Sequence, residues 1–131
     1  MILFLAADLS TIKSEPNLER RSDLALDYAS SALDQVRDLY NTGDIAKWRD
    51  ALNAMAEAVE VSYQSLDATG KNPRNDKHFK RAELKTREFV RRLDGLRDTV
   101  NFDDRETLDQ ARAKISQVHD QLLEKIMSKR K

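Results

Sequence analysis

The sequence predicts an all-α protein, an antiparallel four-helix bundle made of two tandem, internally duplicated helical hairpins. The 131 residues combine 40% hydrophobic with 35% charged residues and include only three Gly and two Pro, which is typical of amphipathic helices. Apolar residues recur every three or four positions through four long segments, as one face of a helix requires. Offsetting the sequence by 60 residues also aligns its two halves, which indicates a duplicated unit.

The duplication is clearest at the two predicted hairpin bends. Asn41 and Asp44 align with Asn101 and Asp104, and the core positions of the following helices keep the same phase. Each hairpin alone would leave an apolar face exposed, so we expect the pair to close into a bundle; stacking as a short solenoid is the alternative. The first bend also resembles that of a tetratricopeptide hairpin, but bulky Trp48 stands where that family has a small residue.

The first hairpin is predicted to span residues 14–70. Ser14 can cap its first helix, and Gly43 can adopt the left-handed conformation that ends a helix. Asp44 can then cap the second helix, which we expect to end at Gly70.

A linker, residues 71–76, separates this hairpin from the second, which is predicted to span residues 77–128. Pro73 prevents a helix from continuing through the linker. Asp76 is placed to cap the third helix.

Residues 1–13 precede the predicted domain, which we expect to span residues 14–131. The apolar run Met1–Ala7 is too short to cross a bilayer, which takes about 20 residues. It resembles the end of a secretory signal peptide, with small residues at a cleavage point after Ala7, although the basic segment that begins such a peptide is missing. The alternative is a strand or a helical turn packed against the bundle.

Three segments carry a resemblance to a family. Residues 70–74 (GKNPR), 78–84 (HFKRAEL) and 17–22 (NLERRS) resemble stretches found in uncharacterised exported bacterial helical proteins. The resemblance implies export, to the periplasm in such bacteria, and it implies no activity.

The net charge is zero, but the charges are divided between the halves. Residues 1–70 hold 12 acidic residues against six Lys and Arg, and residues 71–131 hold 11 against 17. We interpret this division as complementary charge between two hairpins that pack together. A polarised surface that faces an anionic partner is the alternative.

The basic surface of the third helix is the strongest functional candidate in the sequence. Residues 71–92 contain nine Lys or Arg and three acids, and cations near a helix N-terminus oppose the helix dipole. Phosphate, nucleic acid or lipid headgroups would compensate them, although few aromatic residues interleave, which disfavours single-stranded nucleic acid. The candidate anion-binding residues are Lys77, Lys80, Arg81, Lys85, Arg87, Arg91 and Arg92.

A second candidate surface is apolar. Leu24 and Leu84 occupy matching repeat positions off the main apolar stripes, and Tyr28 and Leu39 widen the apolar arc of the first helix. This side could receive the N-terminal segment, another copy of the chain or a different protein. These four residues are the candidate protein contacts.

Two pairs of carboxylates, Asp34 with Asp38 and Asp94 with Asp98, could hold a divalent metal only if they converged. Helical spacing instead places them opposite the apolar stripes. We expect the first acid of each pair to form a surface ion pair with the arginine three residues further on.

Catalytic signatures are missing from the sequence. Neither His78 nor His119 has a second histidine at ligand spacing or an evident carboxylate partner, and we expect His119 to reach water. Without cysteine, thiolate sites and disulfides are excluded, and no glycine-rich phosphate loop is present. We therefore predict no catalytic, cofactor or metal site.

The expected function is that of a non-enzymatic helical interaction or scaffold domain that binds an unidentified protein or a second copy of itself. The alternative is a polyanion-binding module that uses the third helix.

Overall fold

The computed structural model describes residues 5–128, and it describes side-chain environments from Leu9 onward. This part of the chain contains no strand, so the all-α prediction is confirmed. Short 3-10 turns precede the last two helices. Five helices pack together where four were predicted: α1 (Leu5–Lys13), α2 (Leu18–Asn41), α3 (Ile45–Ala68), α4 (Lys77–Arg97) and α5 (Arg105–Met127).

Polar side chains cap the starts of three helices. Asn17 Oδ1 accepts a hydrogen bond from the Arg20 N–H at 2.9 Å, so α2 begins one turn later than the predicted cap, Ser14. Asp44 and Asp76 cap α3 and α4 as predicted, each accepting a hydrogen bond from a backbone N–H of the first turn. Such a cap supplies a partner to an N–H that the helix itself leaves without one.

Two glycines follow the ends of α2 and α3. Gly43 has φ +82° and Gly70 has φ +72°, a left-handed conformation that is cheap only for a residue without Cβ. The predicted ends of both helices are therefore confirmed.

The core lies among the four long helices. α2 packs on α3 most extensively and also on α4, whereas α5 packs on both α4 and α3. The largest fully buried side chains come from all four: Leu26, Leu33, Trp48, Leu52, Met55, Leu66, Phe79, Phe89, Leu93, Leu108, Ile115 and Leu122. Each such side chain stabilises the fold by roughly 1.5–3 kcal/mol relative to exposure.

The N-terminal segment forms a helix that packs across α2 and α3. Leu9 is buried, Arg21 Nη1 donates to the Lys13 carbonyl at 3.1 Å, and the Lys13 ammonium pairs with Glu57 of α3. The expected cleavage point after Ala7 lies within α1. Residues 1–4 of the apolar run, like residues 129–131 of the predicted domain, lie outside the described residues.

Candidate interaction face on α4

Acidic residues of α2 meet basic residues of α4 where these two helices pack. The Arg81 guanidinium lies 3.2 Å from Asp23 Oδ1 and 3.0 Å from Asp27 Oδ1. Arg92 Nη2 lies 3.0 Å from Asp34 Oδ1. The opposite charges of the two halves therefore complement each other within the chain, as we interpreted them from the sequence.

These ion pairs divide the seven candidate anion-binding residues. Arg81, Arg92 and Arg87 are paired, the last with Glu83 of its own helix at 2.8 Å. No ion pair within residues 5–128 involves the other four, which are Lys77, Lys80, Lys85 and Arg91. The free basic surface of α4 is thus smaller than the sequence predicted.

Leu84 lies in the middle of this basic surface. Its side chain is 57% exposed, and the other exposed large apolar residues among those described, Phe102 and Met127, lie in a 3-10 turn and at a helix end. It lines an open surface depression of about 400 Å³ together with Lys77, Lys80, Arg81, Lys85 and Glu88. Below, the α4 face means Lys77, Lys80, Leu84, Lys85, Glu88 and Arg91.

Two of the other three candidate protein contacts, Tyr28 and Leu39, belong to the chain's own core. Tyr28 and Leu39 are each only 6% exposed, and Leu24 is half-buried. The sequence placed them on a surface because α2 has a wide apolar arc. That arc is wide because α2 packs against three other helices, α1, α3 and α4, so it offers no open contact surface at Tyr28 or Leu39.

Sequence reasoning missed a buried ionic cluster between α4 and α5. Glu83 is 7% exposed and accepts hydrogen bonds from Arg87 at 2.8 Å. His119 Nε2 lies 2.8 Å from Glu83 Oε2, whereas the sequence led us to expect that its polar nitrogen reaches water. Burial alone would raise the pKa of Glu83, but the hydrogen bonds to His119 and Arg87 hold it below its ordinary value.

A signal for this cluster was present in the sequence. Glu83 lies next to Ala82 in the apolar arc of α4, and an acid placed there needs a partner from another helix, because a buried charge without a partner is costly.

His78 also faces carboxylates. Its ring nitrogens lie 3.5 Å from Asp23 and 3.7 Å from Glu19, both on α2. Lys71 pairs with the same Glu19. The hydrogen bond from Lys71 lowers the pKa of Glu19. These contacts tie the start of α2 to the start of α4.

The paired acids do not converge. Asp34, Asp38, Asp94 and Asp98 are all exposed, and no group of three or more potential ligands among the described residues could hold a metal ion.

The ion-pair partners of these acids differ from those predicted. Asp94 pairs with Arg112 of α5 at 2.8 Å, and Arg97 pairs with Asp109 of α5 at 2.9 Å. As with Asp34 and Arg92, the cation comes from a neighbouring helix, because packed helices bring long side chains within reach of each other.

A cleft of about 740 Å³ lies where α3 and α5 end beside the linker. Its charges are mixed, and Lys125 pairs with Asp67 across it at 3.0 Å.

No protein-family model matches the chain, and no curated protein or solved structure is significantly similar to it. Among the described helices, none is both long enough and apolar enough to span a membrane.

Proposed function

We propose that this chain is a non-enzymatic helical interaction domain that binds its partner through the α4 face. One observation carries the proposal: Leu84 is 57% exposed among Lys and Arg residues that have no acidic partner in the described part of the chain. Most cations elsewhere on α4 are paired, so this face is the exception on its own helix.

A partner would stabilise this face in two ways. Clustered cations repel one another, and an anionic surface relieves that repulsion. Covering the exposed part of Leu84 removes apolar surface from water, which contributes roughly 1 kcal/mol or more. Neither contribution requires a catalytic arrangement.

A polyanion-binding module is the second candidate, favoured by the four unpaired cations of the α4 face. It predicts that Lys80→Gln with Lys85→Gln weakens heparin binding and that the affinity falls steeply with salt. The two candidates differ in the role of Leu84. The partner of the first candidate covers this side chain, whereas a phosphate chain would not contact it favourably.

The pairing of the long helices into hairpins is part of the same proposal. We infer that α2–α3 and α4–α5 are duplicated hairpins that close into an antiparallel four-helix bundle, with α1 added across it. Three observations support this: the long helices share one core, the two bends align in sequence, and Tyr40 at the first bend is bonded to Asp104 at the second.

Export remains a proposal that rests on the apolar run Met1–Ala7. Intact mass of the native protein in exported and cytosolic fractions tests it. A chain that begins at Asp8 outside the cytosol supports export, and a chain that retains the run in the cytosol contradicts it.

Photo-crosslinking in the cells that make the protein tests the proposed function. A photoreactive amino acid replaces Leu84, and the matched control replaces Asn53, an exposed residue of α3. We expect a discrete adduct from position 84 and none from position 53. The same adducts from both positions, or none from either, would contradict the proposal.

A further inference from the structure

We infer that the α4 face docks on the surface of an anionic lipid bilayer. The inference rests on the proposed role of this face and specifies its partner. The observation behind it is the position of an exposed leucine, Leu84, at the centre of a row of unpaired cations on one helix.

The charge of the face complements an anionic membrane. Lys77, Lys80, Lys85 and Arg91 form no ion pair within residues 5–128, and Glu88 is the one carboxylate of the face as defined. With a rise of 1.5 Å per residue, the row from Lys77 to Arg91 is about 21 Å long. Long cationic side chains along such a row can reach several headgroups at once, and each is attracted to an anionic leaflet.

Leu84 favours lipid over nucleic acid. The interfacial region of a bilayer accepts apolar side chains to a depth of about 5–10 Å, whereas a phosphate backbone gains nothing from an isobutyl group. Base stacking would need exposed aromatic rings. The two aromatic residues of α4, Phe79 and Phe89, are each 1% exposed.

A second copy of the chain fits the face less well than lipid. Three acids of the acidic first half, Asp23, Asp27 and Asp34, already pair with Arg81 and Arg92 of the same molecule. These three carboxylates are therefore engaged within each chain.

Co-sedimentation of the full chain with vesicles tests the inference. One set of vesicles contains phosphatidylcholine with about 30% phosphatidylserine, as in an anionic leaflet, and the other contains phosphatidylcholine alone. Binding is measured at about 0.05 M and about 0.5 M salt, between which screening becomes strong. We expect sedimentation with the anionic vesicles only, and we expect high salt to abolish it.

Four variants distinguish the roles of charge and of Leu84. Leu84→Asn should weaken vesicle binding about tenfold, since the burial of part of one leucine contributes roughly a factor of that size. Lys80→Gln with Lys85→Gln should weaken it at least as much.

The matched controls are Phe102→Asn, which removes an 80% exposed apolar residue elsewhere, and Arg37→Gln with Lys114→Gln, which removes two exposed cations elsewhere. Both controls should bind like the parent chain.

Two results would overturn the inference: no sedimentation with anionic vesicles, or sedimentation that Leu84→Asn leaves unchanged. If heparin or a DNA duplex binds instead and the lysine variant weakens that binding, the partner is a polyanion and not lipid. Whether vesicle binding fails or the partner proves to be a polyanion, an adduct at position 84 in the crosslinking experiment would preserve the proposed function. The absence of that adduct would remove the proposed function as well.

Discussion

The hydroxyl group of Tyr40 donates a hydrogen bond to Asp104 Oδ2 at 2.8 Å and accepts one from the Asn101 N–H at 2.7 Å. Tyr40 lies at the end of α2, and its ring packs against that of Trp48 with the centroids 5.0 Å apart. Asn101 and Asp104 belong to the bend between α4 and α5. One side chain therefore joins the two bends that align when the sequence is offset by 60 residues.

Tyr40→Phe is expected to lower the free energy of unfolding by about 1–2 kcal/mol, because it removes both hydrogen bonds and leaves Asp104 without its tyrosine donor. Tyr63→Phe is the control, since the Tyr63 hydroxyl forms no hydrogen bond within residues 5–128. Urea unfolding of both variants measures the difference. Equal stability of the two variants would show that the bend-to-bend contact contributes nothing.

Glu83→Gln is expected to destabilise the protein by about 1–3 kcal/mol at pH 7, because the buried carboxylate accepts hydrogen bonds from Arg87 and His119. The folded state lowers the pKa of Glu83 below its ordinary value. A lowered pKa contributes stability above the unfolded-state value, and that contribution is lost as the pH falls through the folded-state value. The difference between variant and parent should therefore shrink below pH 4.5.

Unfolding curves recorded across this pH range check the prediction for Glu83. Glu88→Gln is the control: it removes an exposed carboxylate from the same helix and should change stability by less than about 0.5 kcal/mol. A Glu83→Gln deficit that stays constant with pH would contradict the ionic role of the cluster.

Gly95→Ala is expected to stabilise the protein by about 0.5–1 kcal/mol, since glycine is a poor helix former. A Cβ added at this position in α4 meets no atom within 4 Å. Gly43→Ala should have the opposite effect and cost about 1 kcal/mol or more, because Gly43 has φ +82°. Thermal unfolding of the two variants should therefore shift in opposite directions, and a shift in the same direction would be inconsistent with these backbone conformations.

Arg81→Gln is expected to destabilise the protein by less than about 1 kcal/mol at low salt, because its ion pairs with Asp23 and Asp27 are only partly shielded from water. High salt should reduce the effect, since it screens the same pairs. Lys80→Gln is the control, because Lys80 forms no ion pair among the described residues. Equal effects of the two substitutions in denaturant unfolding at low salt would argue against charge pairing between α2 and α4.

Features that depend on a few neighbouring residues were predictable from the sequence. Gly43 and Gly70 ended helices where expected, and Asp44 and Asp76 capped the next ones, because a cap or a left-handed glycine acts within one turn. The start of α2 was placed too early because Ser14 and Asn17 both suit the capping position, and sequence alone does not rank them.

Features that depend on how the helices pack were not predictable in the same way. Glu83 and His119 are 36 residues apart, and they meet only because α4 and α5 present the matching faces to each other. Tyr28 and Leu39 looked like a contact surface because nothing in the sequence showed that α2 is covered on three sides. For the same reason, the sequence identified Leu84 as one of four candidate contacts but did not show that it would be the exposed one.

Thiol labelling at position 84 tests the central claim, that the α4 face is covered by a partner in the cell. The chain has no cysteine, so Leu84→Cys introduces a single site for a membrane-permeable maleimide, and Asn53→Cys supplies the exposed control. We expect both sites to be labelled rapidly in the purified protein, and only position 84 to be protected in cells. Equal labelling of the two positions in cells would contradict the claim.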